Sequence, residues 1–332
     1  MSSASAADLG EPDAGATGVL EIACDESGSE GEKLVGGTTD AFAHASLHLA
    51  RDVAADCMDE VRLACRSPAA ECKASVVLRS QNHRVLAWLL GPEGPLHGHG
   101  HVHLTEKTFH LVTKIVALLE VDPDTVPTVY REGPRAFGAA GWPQLLTSFN
   151  DLMRAHVLED GWAAANDFFD HVELVGARRA GTEVGAALAG LAARRPRTVA
   201  DLEPLLDRSR AGSVLDPQVP GLVGAVVHWG AGGDPVSVVH DVQATLTPAR
   251  MRHVEAECRR LDPRVRFAGI RFVDSITDPR VQVADLLAGA VRRIAAEALH
   301  GRGDPALLGL VSPYVDRASI WGDAASWAQL TG

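Results

Sequence analysis

Short apolar runs alternate along this chain with longer segments in which apolar residues recur at helical spacing. Residues 18–24 form an apolar, β-rich run that stops at Asp25-Glu26-Ser27-Gly28, which predicts a strand ending in a turn. Residues 41–65 carry apolar side chains three and four positions apart without an internal Pro or Gly, which predicts a long helix. The same criteria predict strands over 33–38, 236–240 and 267–273, and helices over 105–119, 248–260 and 280–298.

The order of these elements predicts an α/β fold with a mixed sheet flanked by helices. An antiparallel hairpin is expected at its start, because only a short turn separates the first two predicted strands. Residues 143–210 are mostly helical by pattern and are interpreted as a helical insertion within a single domain over 17–300. Residues 1–16, rich in Ser, Ala, Gly and Asp, are expected to form a disordered tail, and residues 301–332 a C-terminal extension.

Composition is that of an ordinary soluble protein, with 46% hydrophobic and 22% charged residues. No apolar run approaches the roughly 20 residues that span a bilayer, so a membrane partner is not expected. The five cysteines are odd in number, scattered, and without a C-x-x-C pair, which favours reduced thiols over a thiolate zinc site. A reducing compartment, the cytoplasm, is therefore expected.

The net charge of −12 opposes nucleic-acid binding by bulk electrostatics, which depends on Lys and Arg neutralising phosphates. Positive charge is nevertheless concentrated in short runs. An alternative reading of these runs is solvated helix ends. The runs are Arg178-Arg179, Arg194-Arg195-Pro196-Arg197, Arg259-Arg260 with Arg264 and Arg266, and Arg292-Arg293.

Two aspartates follow short apolar strands. Asp25 comes after one predicted strand and Asp241 after another, and such strand ends form the ligand-binding crevice of α/β sheets. If the two strands are neighbours, the carboxylates converge at one edge of the sheet. The alternative is that both are turn or helix-start residues, which Asp also favours.

A third carboxylate, Asp285, lies in a helical segment over 281–291 that is apolar apart from this residue and Gln282. The two are three residues apart and therefore share one helix face. A buried carboxylate is costly unless a hydrogen-bond network, a cationic partner or a metal ion compensates it. The alternative to a functional role is a structural ion pair with an Arg.

Together Asp25, Asp241 and Asp285 predict a site for Mg²⁺ or Mn²⁺, which choose oxygen ligands and keep several waters. Two such ions can activate water and stabilise the leaving oxygen in a phosphodiester displacement. Further acidic residues that can join the cluster are Glu26, Glu71 and Asp274.

Several segments resemble the prokaryotic family catalogued as domain of unknown function 3800, which is regarded as having a ribonuclease-H-like fold. The resemblance covers roughly 18–80 and 215–300 and leaves the helical middle unexplained. The segments are Asp25-Glu26-Ser27-Gly28, Glu71-Cys72-Lys73-Ala74-Ser75, His240-Asp241, Asp274-Ser275, and Gln282-Val283-Ala284-Asp285-Leu286-Leu287-Ala288-Gly289.

The resemblance implies a sheet whose first strand carries Asp25, whose later strand carries Asp241 and whose closing helix carries Asp285. By analogy with ribonuclease-H-like nucleases, Glu71 would be the fourth catalytic carboxylate. Lys73 would contact a phosphate or pair with a carboxylate. Residues expected to support the site are Glu26, Ser27, Lys73, Asp274 and Gln282.

Four histidines fall at every second position, at His97, His99, His101 and His103. An extended segment would place all four on one face, where imidazoles can bind zinc, nickel or copper. The alternative is a Gly-rich exposed loop with solvated histidines.

The sequence as a whole favours a divalent-metal-dependent nuclease or phosphodiester transferase acting on DNA or RNA. The first alternative is a non-catalytic interaction protein of a defence or mobile-element system that keeps the fold and uses the helical middle as a protein-binding surface. The second is a metal-binding protein built on the histidine run.

Overall fold

In this computed structural model, the described residues are 18–66, 72–155, 158–212, 215–243 and 245–332, with 208–212 described by their backbone. The expected tail at 1–16 and the predicted carboxylate Glu71 lie outside them. The strands are β1 (Leu20–Ser27), β2 (Ala41–Leu47), β3 (Gly100–Glu106), β4 (Val236–Asp241) and β5 (Phe267–Val273). The helices are α1 (Arg51–Cys65), α2 (Ala74–Val77), α3 (His83–Leu90), α4 (Lys107–Leu118), α5 (Thr125–Arg154), α6 (Leu158–Arg178), α7 (Glu183–Ala192), α8 (Val199–Gly212), α9 (Gln218–Gly230), α10 (Pro248–Leu261), α11 (Pro279–Leu299), α12 (Pro305–Val311) and α13 (Ala324–Thr331).

The strands form one mixed sheet in the order β3-β2-β1-β4-β5. Strand β2 runs antiparallel to both β1 and β3, whereas β4 is parallel to β1 and β5 is parallel to β4. The α/β class and the mixed sheet flanked by helices are therefore confirmed. The predicted strands at 236–240 and 267–273 and the predicted helices at 248–260 and 280–298 match the observed elements to within about two residues, an ordinary error for element ends.

The predicted strand at 33–38 is wrong, and so is the first part of the predicted helix at 41–65. Residues 33–38 form a loop in which the Leu34 amide donates to Asn150 Oδ1 at 3.0 Å and Gly36 adopts a positive φ of 67°. The second strand is instead β2, whose seven residues are all buried. A strand covered on both faces shows no alternation of apolar and polar residues, so its pattern resembles that of a buried helix.

Helices cover both faces of the sheet. Helices α1 and α11 pack on one face, around a core that includes Leu47, Leu104 and Leu287. Helices α9 and α10 accompany the core of the other face, which includes Ile22 and Val238. Because side chains alternate along each strand, neighbouring residues of β1 enter different cores.

A second body of apolar side chains lies among helices α4 to α8. At its centre the ring of Phe168 lies 5.1 Å from that of Phe149 and 5.0 Å from that of Phe169. Helix α5 is interrupted at Gly138, whose φ of 76° is outside the helical range. The mostly helical character expected for 143–210 is observed in the described part of that segment, and its interpretation as an insertion stays a prediction.

Residues near the C-terminus pack on the sheet and on α11. The Asp316 amide donates to Val102 O and the Ile320 amide to Leu104 O, each at 2.8 Å, so this segment follows the outer side of β3. Tyr314 is buried and its hydroxyl donates to Leu90 O. In the described ranges, no helix is long and apolar enough to cross a bilayer.

Candidate functional site

Two of the predicted aspartates lie side by side in the sheet. Cys24 of β1 is paired with His240 of β4, so the next residues, Asp25 and Asp241, occupy adjacent positions on the face covered by α11. Strand β1 continues to Ser27, beyond Asp25. The turn predicted to begin at Asp25 is therefore wrong, as is the alternative reading of Asp25 as a turn residue, because Asp25 lies within the strand and is only 7% exposed.

Helix α11 brings Asp285 to the same place, because it packs across β1 and β2. Burial, together with the negative charges of Glu26, Asp285 and Asp241, raises the pKa of Asp25 to about 9, against the effect of one backbone hydrogen bond. Asp25 is therefore close enough to Asp241 and to Asp285 to be repelled by their charges. A cation placed among them would relieve this repulsion.

Neighbouring groups hold two of these carboxylates. Lys73 Nζ lies 2.9 Å from Asp285 Oδ2, which is the carboxylate pairing that the sequence left open for this lysine. The Ser275 amide donates to Asp241 Oδ1 at 3.1 Å, and Gln282 Nε2 donates to Ser275 O at 2.9 Å. Gln282 therefore positions the loop that fixes Asp241.

Asp25 is different, because no ion pair with a described Lys, Arg or His compensates its charge. Its Oδ1 accepts a hydrogen bond from the Glu26 amide at 2.8 Å. A buried carboxylate in this position is stable as the neutral acid or beside a bound cation.

Glu26 lies on the opposite face of the sheet, under α9. Its carboxylate accepts hydrogen bonds from Gln218 at 3.1 Å and from Gln243, and it lies 3.7 Å from His240 Nε2. Burial raises the pKa of Glu26 to about 7, against the hydrogen bond from Gln243 and with help from the charges of Asp241 and Asp216. Glu26 contributes to the local charge but faces away from α11.

Other predicted supporting residues have structural partners. Asp274 is exposed, and its Oδ1 accepts from the Ile276 amide at 3.0 Å, as the cap of a short 3₁₀ turn. Ser27 Oγ accepts from Arg292 Nε at 2.9 Å. Asp274 therefore caps the 3₁₀ turn that follows β5, and Ser27 contacts a cation.

The carboxylate oxygens around Asp25 suit a site for Mg²⁺ or Mn²⁺. Among the described residues, no three or more His, Cys, Asp or Glu side chains are arranged to hold one ion. Mg²⁺ and Mn²⁺ do not need such a cage, because Mg²⁺ is usually bound by one or two carboxylates, several waters and substrate phosphates. Asp25, with Asp241 or Asp285, fits that limited demand, whereas a fully protein-ligated zinc site does not fit.

The histidine run is divided between a loop and a strand. His97 and His99 are exposed before β3, whereas His101 and His103 are buried within it, so the expectation of four solvated histidines is wrong for the last two. His101 Nε2 and His103 Nδ1 lie 3.3 Å and 3.1 Å from Asp316 Oδ2. Both therefore fasten the C-terminal segment to β3.

Several arginines of the arginine runs form ion pairs at the surface. Arg195 pairs with Asp170 and Glu173, and Arg259 and Arg260 pair with glutamates one helical turn away. These runs agree with the interpretation as solvated helix ends.

Arg292 differs from the other arginines, since it is half-buried beside Ser27 and forms no ion pair within the described part of the chain. Sequence reasoning placed it only in an arginine run. A signal for its position was present, because Arg292 follows Asp285 by seven residues, which is two helical turns along one face.

Comparisons with protein-family models, with curated proteins and with solved structures find no match for this chain. The resemblance to domain of unknown function 3800 therefore stays a prediction. The side chains around Asp25 are therefore the basis for the proposed function of this chain.

Proposed function

We propose that this chain is a divalent-metal-dependent phosphodiesterase with a ribonuclease-H-like fold, acting on DNA or RNA. The observation that carries the proposal is Asp25, a buried carboxylate without a cationic partner among the described residues, with Asp241 and Asp285 as charged neighbours. A bound cation would compensate the electrostatic cost of burying the charge of this carboxylate.

The sheet supports the ribonuclease-H-like part of the proposal. The resemblance implies carboxylates on the first strand, on a later strand and on the closing helix, and Asp25, Asp241 and Asp285 occupy β1, β4 and α11. The antiparallel β1–β2 pair and the parallel β1–β4 pair agree with the expected mixed sheet. Fold alone does not imply activity, so the carboxylates remain the main argument.

Different residues of this chain would hold the cation, orient its carboxylate ligands and contact the substrate. Asp25 and Asp241 would hold the cation, with Asp241 oriented by the Ser275 amide and, through that loop, by Gln282. A bound Mg²⁺ or Mn²⁺ supplies positive charge for the phosphate oxygens and lowers the pKa of water. Asp285 is paired with Lys73. On binding, Asp285 would leave this lysine to contact the cation, or would contact a substrate that the lysine holds.

Cleavage assays test the proposal directly. Purified protein with Mn²⁺ is expected to cut a single- or double-stranded DNA or RNA substrate, and Asp25→Asn and Asp241→Asn are expected to remove the activity, because each loses a charged oxygen ligand. Asp274→Asn is the matched control, because this nearby carboxylate is exposed and Asn is also a good cap. Equal cleavage by wild type and Asp25→Asn would sink the proposal.

A second function is favoured by one observation. Lys73 already neutralises Asp285, a pairing that a non-catalytic interaction protein would keep. Titration of Mn²⁺ into wild type and Asp25→Asn separates the two. Binding that disappears in the variant supports the phosphodiesterase, and no binding to the wild type supports the interaction protein.

A further inference from the structure

A cavity of about 770 Å³ adjoins the carboxylate site, with Ser27 and Asp285 in its wall. Its other walls come from the segment around α2, from the second half of α11 and from the turn before α12. Ligand pockets usually have volumes of roughly 300–1,000 Å³. The space therefore suits one or two nucleotides.

The charge of this cavity is opposite to that of the whole chain. Five of its lining side chains are cationic and three are carboxylates, whereas the chain carries a net charge of −12. Local potentials, and not net charge alone, decide where an anion binds. The cationic residues are Lys73, Arg79, Arg292, Arg293 and Arg302.

Not all of these cations have a carboxylate partner. Glu297 pairs with Arg293 at 3.1 Å and with Arg302 at 2.7 Å. Neither Arg79 nor Arg292 forms an ion pair with any residue that the structure describes. The cavity therefore contains positive charge that its own carboxylates leave uncompensated.

Arg292 is held in place although it forms no ion pair with a described residue. Its Nε donates to Ser27 Oγ at 2.9 Å, and a Cβ added at Gly28 would lie 2.6 Å from Arg292 Cδ, so its stem packs directly on the backbone. Burial, together with neighbouring Arg293, lowers the pKa of Arg292. A half-buried guanidinium in a fixed position is preorganised to bind an anion, and its N–H groups can donate two parallel hydrogen bonds to a phosphate.

We propose that this cavity binds the phosphate backbone of a single nucleic-acid strand, with Arg292 and Arg79 as phosphate contacts, beside the carboxylates. The identity of the anion rests on the proposed function. Among the described lining residues, His83 supplies the aromatic ring, so the cavity lacks the stacked platform that aromatic side chains provide for successive bases. Binding is therefore independent of base sequence.

The test is a binding titration that needs no cleavage. A fluorescent single strand of about 12 nucleotides, within the usual range of strand-binding sites, is titrated with the full chain in EDTA at about 50 to 200 mM salt. Each phosphate contact contributes about 0.7 to the slope of log affinity against log salt for single strands. Arg292→Gln and Arg79→Gln are each expected to reduce that slope by about this amount and to weaken binding roughly three- to tenfold.

Arg260→Gln is the matched control, because it removes the same charge from an exposed residue on α10, outside the cavity. Arg79 is also exposed, so Arg79→Gln keeps the test valid if Arg292→Gln disturbs the fold. The proposal is overturned if neither cavity variant binds more weakly than Arg260→Gln, or if a duplex of the same length binds more tightly than the single strand.

Failure of the nuclease proposal gives a different result. In EDTA, Asp25→Asn is expected to bind the strand at least as tightly as wild type, because it lacks a potential negative charge beside the cavity. If strand binding depends on Arg292 and Arg79 but no Mn²⁺-dependent cleavage occurs, the proposal of strand binding in the cavity stands and the proposal of phosphodiesterase activity is rejected.

Discussion

Replacement of Asp25 by Asn changes how the free energy of unfolding depends on pH. The folded protein holds the pKa of Asp25 near 9, whereas its ordinary value is 3.8. Between these two values the unfolded chain is ionised at this residue and the folded chain is not, so stability falls as pH rises. One retained proton corresponds to about 1.4 kcal/mol per pH unit, or roughly 4 kcal/mol between about pH 5 and pH 8.

Asn preserves the size of the side chain and cannot ionise. The variant is therefore expected to gain stability relative to wild type by up to about 1.4 kcal/mol for each unit of rising pH. Urea unfolding in EDTA, followed by circular dichroism at several pH values, measures the difference. Because the pKa of Glu26 is also raised, to about 7, the comparison is best repeated in the Glu26→Gln background.

The same experiment with Mn²⁺ links stability to the site. A ligand that binds only the folded state stabilises it by an amount that grows with the ligand concentration, so Mn²⁺ is expected to stabilise the wild type at about pH 8 and to leave Asp25→Asn unchanged. If the free energies of unfolding of wild type and variant change by the same amount between about pH 5 and pH 8, the reasoning is refuted.

Two further predictions concern buried polar contacts. Lys107 is 2% exposed and its Nζ lies 2.5 Å from Oε2 of the partly exposed Glu30, so Lys107→Met is expected to cost about 2 kcal/mol by removing a hydrogen bond between charged groups. Urea unfolding measures this, and addition of Glu30→Gln should recover part of the loss; a loss below about 1 kcal/mol contradicts it. Asp316→Ala removes the acceptor of His101 and His103 and is expected to cost about 2 kcal/mol and to accelerate hydrogen exchange at Ile320, whereas unchanged exchange there would be evidence against the role of Asp316.

Local pattern was sufficient for part of the sheet and for the helix that carries Asp285. Strands β4 and β5 and helix α11 have the composition and length that their types favour, and they were predicted nearly to the residue. The sequence placed Asp25 and Asp241 together only on the condition that their strands are neighbours, and β1 and β4 are paired in the sheet.

Other features depend on contacts that a single sequence does not display. Strand β2 is buried on both faces and rich in Ala, so only its partners in the sheet distinguish it from a helix. His101 and His103 become buried because helix α9 and residues beyond position 310 cover them. The face to which Glu26 belongs depends on the register of β1, and a shift of one residue would exchange it with Asp25.

The C-terminal segment along β3 also has a consequence for biosynthesis and aggregation. An exposed strand edge is a template for pairing with other chains, and Asp316 and Ile320 cover this edge through their hydrogen bonds to Val102 and Leu104. More than 200 residues separate the partners of these contacts, so during translation the edge stays uncovered until more than 200 further residues have been synthesised. A chaperone that shields nascent strands would be most useful to this protein during that interval.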